Sequence, residues 1–394
     1  MDPSRLGARE AARLIAEGEL TALTLTEACL ARIEAREPEV HAWTYLDPDA
    51  ALAQARACDE AGTQPPLRGV PVGIKDIIDT ADMPTGYGSP IYKNNQPKVD
   101  AECVARVRAA GGVVLGKTVT TEFAFRHPFG QTSNPHNLRH TPGGSSSGSA
   151  AAVADFMVPL AFGTQTGGSI IRPASYCGIY GYKPTYGIFS VRGIKPLAPG
   201  LDTLGHFARS LEDIAWLAAV LSTRVPADIP PWTGTPTRVG LARIPDWANA
   251  DPETINAVES AAVQLEAEGV ELSELTPPDT FTELSKVHKT MMNVEAAGAL
   301  ARELNGHMDE LSAELRDILI GATRVPSAEY TNAVALAQDC RGHIDDLFAG
   351  NDVLLAASAP GEAPEGLSFT GDPVFNGMWT LLHVPCLTIP FTQG

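Results

Sequence analysis

The chain has 394 residues, 44% of them hydrophobic and 19% charged, a balance that suits a folded protein with a sizeable core and excludes a disordered one. Its formal net charge of −18 repels polyanions and argues against nucleic acid as the main partner. The opening stretch MDPSRLGAREAARLIAEGEL carries charges throughout, no apolar run approaches the roughly 20 residues of a bilayer span, and the six cysteines are scattered without CxxC spacing, so the expectation is a cytoplasmic protein with reduced thiols, no membrane partner and no structural zinc.

In chain order, helical spacing of apolar residues predicts helices over 5–18 and 24–36, the second with Thr24 or Thr26 as cap, and an alanine-rich helix over 48–61. The run Leu67-Arg68-Gly69-Val70-Pro71-Val72-Gly73-Ile74-Lys75-Asp76 predicts a buried strand that ends on a lysine. A helix over 101–110 and a strand over 113–115 follow, then a loop over 121–141 and a helix entered through Ser149. Beyond a helix over 211–222 and a proline-rich passage over 225–236 come a strand at 238–242, helices at 252–268, 281–304, 309–321 and 327–348, and strands at 353–356 and near 384–390. The proline-rich passage is the best seam, yet the whole reads as one domain. Residues 1–62 form its helical lead-in, 63–220 its catalytic core, and 221–394 a helical second part with closing strands.

Three motifs fail on context. Gly111 to Thr118 spells GxxxxGK[ST], but a helix precedes the first glycine and the strand falls inside the supposed phosphate loop. His136 and His140 have i, i+4 spacing within a loop broken by Pro135, with His127 nearby, so metal binding is not expected. Gly144-Ser145-Ser146-Ser147-Gly148 fits the nucleophile elbow GxSxG, but a turn, His140-Thr141-Pro142-Gly143, stands where the elbow needs a strand.

The chemistry concentrates between Thr141 and Lys183, where two Gly/Ser clusters, 143–149 and 167–169, flank a segment of ordinary globular composition. Serine attacks a carbonyl only when a base takes its proton and fixed donors receive the oxyanion. Glycines let successive backbone N–H groups converge, so Thr166, Gly167 and Gly168 can form such a nest with Ser169 as nucleophile; a plain Gly/Ser turn is the alternative. Lys75 either reaches water past an apolar strand or sits in a low-dielectric site that holds it neutral. Arg172 is either a fork for a substrate carboxylate or a structural arginine tied to a backbone carbonyl or an internal acid.

Lys75 after GVPVGIKD, Ser145 in PGGSSSGS and Ser169 in GTQTGGS together resemble the amidase signature family, and Gly116-Lys117-Thr118, Ser133-Asn134-Pro135, Tyr182-Lys183-Pro184-Thr185 and Asp202 to His206 look like further family positions. The resemblance covers most of 10–220 and, more loosely, the rest. It implies an α/β fold with a mixed, mostly parallel central sheet wrapped by helices. It also implies Ser169 as nucleophile, Ser145 as relay in a cis linkage after Gly144, Lys75 as base, and an acyl-enzyme formed from a small-molecule amide without metal or cofactor. Gln165 stands where the family usually has aspartate, and Arg172 stands three residues after the nucleophile rather than two. That variant resembles malonamidase-type members, whose arginine holds a small substrate carboxylate. Alternatives are an amidotransferase subunit, which the variant and the acidic charge disfavour, and a non-catalytic scaffold in a larger complex, which the intact triad disfavours; a homo-oligomer is compatible with either enzyme reading. Family chains continue into a further strand and helix after the segment matching His383 to Pro390, so this one reads as short at its C-terminus.

Overall fold

The structure, a computed structural model, describes residues 2–61, 65–125, 132–222, 237–243, 245–275 and 277–392. His127, the proline-rich passage 225–236 and the boundary at residue 62 lie outside the described residues. The first α-helices of the chain are Ala8–Glu17, Ala22–Val40 and Pro48–Glu60. The second is capped by Thr21, whose hydroxyl accepts from the Thr24 N–H at 3.0 Å, rather than by Thr24 or Thr26. The cap must precede the first turn, and that turn begins at buried Ala22. Asp47 caps the third helix, with Pro48 at its first position.

The strands are β1 (Trp43–Leu46), β2 (Pro71–Lys75), β3 (Val113–Thr118), β4 (Leu160–Gln165), β5 (Tyr180–Lys183), β6 (Thr203–Ala208), β7 (Arg238–Leu241), β8 (Glu271–Glu274), β9 (Val353–Leu355) and β10 (Cys386–Thr388). Seven of them form one sheet in the order β1-β3-β2-β4-β6-β5-β10, and β7 lies between β8 and β9 in a small parallel sheet. In the large sheet β3/β2 and β2/β4 are parallel, while β1/β3, β4/β6, β6/β5 and β5/β10 are antiparallel. The mixed sheet wrapped by helices is as expected, with β2, β3, β4 and β5 running one way. Parallel neighbours are nevertheless fewer than antiparallel ones, because β6 inserts between β4 and β5 and turns a parallel crossover into two antiparallel pairs. Strands β1, β4, β5, β6 and β8 are not among those expected; each is four to six residues long and too short for a period to stand out.

Every residue of β2, β3 and β4 is buried. So is every residue of the helix Ser147–Ala154, which packs on this part of the sheet. Its small residues are what the packing allows: a Cβ on Gly148 would stand 2.1 Å from the Ala42 carbonyl oxygen and 2.4 Å from the Val119 nitrogen. Among the described residues no helix is long and apolar enough to cross a membrane. Since β2 and β4 are parallel neighbours, their C-terminal ends share one edge, and Lys75 and the segment after Gln165 meet there. Ligands bind at this edge of parallel strands because the chain leaves it in loops and helix starts.

Candidate active site

Lys75 ends β2 with no exposure at all. Its Nζ lies 2.8 Å from Ser145 Oγ, 2.8 Å from Thr164 Oγ1 and 3.4 Å from the Thr164 carbonyl oxygen. Among the described residues no carboxylate stands within salt-bridge distance of it. Burial therefore pushes the amine well below the ordinary lysine range, against a smaller opposing pull from Asp202. A neutral amine has two N–H bonds and one lone pair. In that form, with the Thr164 oxygens accepting its N–H bonds, the lone pair is left for the Ser145 hydroxyl, whereas a charged amine would donate to it.

The other two lysines of the sheet region show why this one differs. Lys117 is as deeply buried, but it pairs with Asp76 at 3.1 Å and donates to Thr85 Oγ1 and the Ile78 carbonyl. Lys183 donates to the carbonyls of Pro184 and Val384. Only Lys75 of the three reaches a serine hydroxyl.

The serine cluster sorts in the same way. Ser146 Oγ contacts the Thr164 backbone, Ser147 Oγ donates to the Val119 carbonyl, and Ser149 Oγ donates to the Phe162 carbonyl at 2.7 Å. These three fasten the helix Ser147–Ala154 to the strands, which leaves Ser145 as the serine aimed at Lys75. The Gly144-Ser145 peptide is cis. Arg172 Nη2 donates to the Gly144 carbonyl at 2.6 Å, and the Thr121 N–H donates to the Ser145 carbonyl at 3.3 Å, so both flanking carbonyls are held. Among the described residues no strand leads into Gly144, as the elbow would require.

After β4 the chain turns through Thr166-Gly167-Gly168-Ser169 into the helix Ile171–Tyr176. Ser145, Thr166, Gly167, Gly168, Ser169 and Arg172 all line one cavity of about 280 Å³, walled further by Phe125, Leu197 and Met292. Ser169 is half-buried on that wall. Gln165 is fully buried under the turn, with its Oε1 accepting from the N–H groups of Ile170 and Ile171 and its Nε2 donating to Thr380 Oγ1. Thr166 Oγ1 donates to Asp202 at 2.6 Å, and burial raises that carboxyl to about 6.

The remaining motifs carry no site. His136 Nε2 bonds the Cys177 carbonyl and His140 Nδ1 the Ala363 carbonyl, so the pair is divided between two structural contacts. Val113 to Thr118 is strand throughout, which leaves no phosphate loop there. Sequence reasoning missed Thr164, His288 and Thr380. The first could have been found from its alternation with Gln165 beside the nest; the other two lie 122 and 213 residues from their partners and leave no local mark.

The family model described as Amidase matches residues 24–393. The chain belongs to the amidase family. A glutamyl-tRNA(Gln) amidotransferase component from Roseiflexus castenholzii is 36% identical over 414 residues, covering 94% of this chain and 84% of that protein. The component of the same name from Roseiflexus sp. strain RS-1 is 42% identical over 316 residues; there the match spans 75% of this chain and 64% of the relative, less than two thirds of its length. Among solved structures, the crystal structure of an amidase superposes with a TM-score of 0.90 at 30% identity, over 99% of this chain and 93% of that one. Family chemistry, cleavage of C–N amide bonds, thus accompanies a site in which a buried amine meets a hydroxyl.

Proposed function

We propose that this amidase-family chain hydrolyses a small C–N amide by way of an acyl-enzyme, with Ser169 as nucleophile, Ser145 as relay and Lys75 as base. The observation that carries the proposal is the 2.8 Å contact between the fully buried Lys75 amine and Ser145 Oγ, on the cavity that Ser169 lines. Lys75 accepts the Ser145 proton while Ser145 accepts that of Ser169, and the Ser169 oxygen bonds to the amide carbon. Electrons displaced onto the carbonyl oxygen are received by the main-chain donors around Thr166, Gly167 and Gly168. As the tetrahedral intermediate collapses, the C–N bond breaks and the amine departs with a proton returned from Lys75 through Ser145. Water then adds to the ester by the same relay, gives up its proton to the base and releases the acid, and the Ser169 oxygen recovers a proton.

The cavity volume suits a small amide. Arg172 lines it three residues beyond the nucleophile, which supports a substrate bearing a carboxylate, malonamate being the simplest; no cofactor is part of the scheme. The test is labelling by a serine-reactive fluorophosphonate together with ammonia release from a panel of simple amides. Ser169→Ala should abolish both, and a variant that still turns over would remove the nucleophile assignment.

A second reading, an amidotransferase subunit, is favoured by the two relatives of that name. It uses the same triad on a different acyl substrate and predicts that activity requires partner proteins. Ammonia release by the purified chain alone argues for the first reading.

A further inference from the structure

In a trans peptide the C=O of one residue and the N–H of the next point to opposite sides of one rigid plane. Whatever holds the carbonyl therefore aims the amide hydrogen. In the turn after β4, three consecutive carbonyls are held. His288 Nε2 contacts the Thr166 carbonyl oxygen at 2.9 Å; because a carbonyl only accepts, this nitrogen carries the hydrogen. Thr380 Oγ1 donates to the Gly167 carbonyl at 2.7 Å. The Arg172 N–H donates to the Gly168 carbonyl at 3.0 Å.

The first two holders are side chains of distant helices, Leu284–Ala299 and Gly377–Leu381, and both are buried. The orientation of the Thr380 hydroxyl is itself fixed. Gln165 Nε2 donates to Thr380 Oγ1 at 2.9 Å, which occupies a lone pair and leaves the single hydroxyl hydrogen for an acceptor, of which the Gly167 oxygen is nearer than the Asn376 oxygen at 3.2 Å. The two helices close on each other at Gly377, where a Cβ would stand 3.1 Å from His288 Nδ1.

We propose that His288 and Thr380 are positioning residues for the oxyanion nest, which turn the N–H groups of Gly167 and Gly168 toward the amide oxygen by capturing the carbonyls on the far side of the same peptide planes. The inference rests on the acyl-enzyme reading above and adds to it a task for the second part of the chain. Without the captured carbonyls, each peptide plane is free to rotate and the donors no longer converge. The binding of ground-state substrate, which uses the rest of the cavity, is affected less than the transition state.

The experiment compares Thr380→Val with Thr380→Ser and His288→Phe with His288→Gln, since Ser keeps the hydroxyl and Gln offers an N–H where Nε2 stands. Fluorophosphonate labelling of Ser169 is the readout that needs no knowledge of the substrate, because attack on phosphorus also builds negative charge on an oxygen in the nest; kcat and KM are measured on any amide that the wild type cleaves. Thr380→Val and His288→Phe should each slow labelling and kcat by about 10- to 100-fold with KM changed less than about threefold, while Ser and Gln restore most of the rate. Either pair alone carries the comparison if one variant does not fold. Wild-type rates in Val and Phe, or losses that Ser and Gln share equally and that follow the melting temperature, overturn the positioning role and leave the acyl-enzyme reading standing. A wild-type chain that the probe never labels overturns the acyl-enzyme reading first, and this one with it.

Discussion

Lys75 Nζ lies as close to Thr164 Oγ1 as to Ser145 Oγ, 2.8 Å in each case. The threonine thus offers the amine an oxygen acceptor that stabilises its charged form, whereas burial opposes that form. Activity should be lost on the acid side as Lys75 takes up a proton, with the acid limb of kcat/KM well below the ordinary lysine value of 10.5. Removing the acceptor with Thr164→Val should move that limb to lower pH by about half a unit to one unit. A limb that moves to higher pH, or does not move, would count against Lys75 as the titrating base.

The same group makes a prediction about stability. Its folded-state pKa is depressed, so between that value and 10.5 the unfolded chain binds a proton that the folded chain does not. Stability from this group therefore rises with pH across that window and is lost as pH falls through it. Lys75→Met should flatten the slope of unfolding free energy against pH there, as denaturant melts at several pH values will read, and should lower kcat by about 10²- to 10⁴-fold.

Gly168 has no room for a side chain. A Cβ there would stand 2.3 Å from Asn376 Oδ1 and 3.0 Å from Asn376 Cβ, and Asn376 cannot step aside without giving up its 3.0 Å bond to the Ser358 carbonyl. Gly168→Ala should push the turn out of register with the cavity. The expected result is a loss of roughly 100-fold in kcat, with a cooperative melt retained; wild-type kcat would show that the turn tolerates displacement.

The Arg172 guanidinium holds the Gly144 carbonyl, beside Ser145, at 2.6 Å and Thr370 Oγ1 at 3.3 Å, and it also lines the cavity. Arg172→Met should therefore slow every substrate, but malonamate by at least about tenfold more than an uncharged amide of similar size if the guanidinium also binds the carboxylate. Equal losses on the two substrates would leave it a purely structural arginine.

Asp76 and Lys117 form a buried pair at 3.1 Å, and burial disfavours the charged form of each more than their mutual attraction favours it. Removing one partner strands the other, so Asp76→Ala should cost about 3–5 kcal/mol in urea unfolding. The double change to a well-packed apolar pair should recover much of that loss.

How far the chain could be read without coordinates follows from the range of the interactions involved. Helices and the strands β2 and β3 were legible because their periodicity, caps and glycine or proline boundaries act over a few residues. So was the lysine and two-serine constellation, since its motifs are local strings. Tertiary structure alone supplied the contact of Lys75 with the Ser145 hydroxyl, gave Lys117 and Lys183 other partners, and decided that β6 inserts between β4 and β5. It also decided that His288 and Thr380 reach the turn after β4 from 122 and 213 residues away. Such contacts are set by how strands order and helices close on one another, and no short stretch of residues encodes that distance.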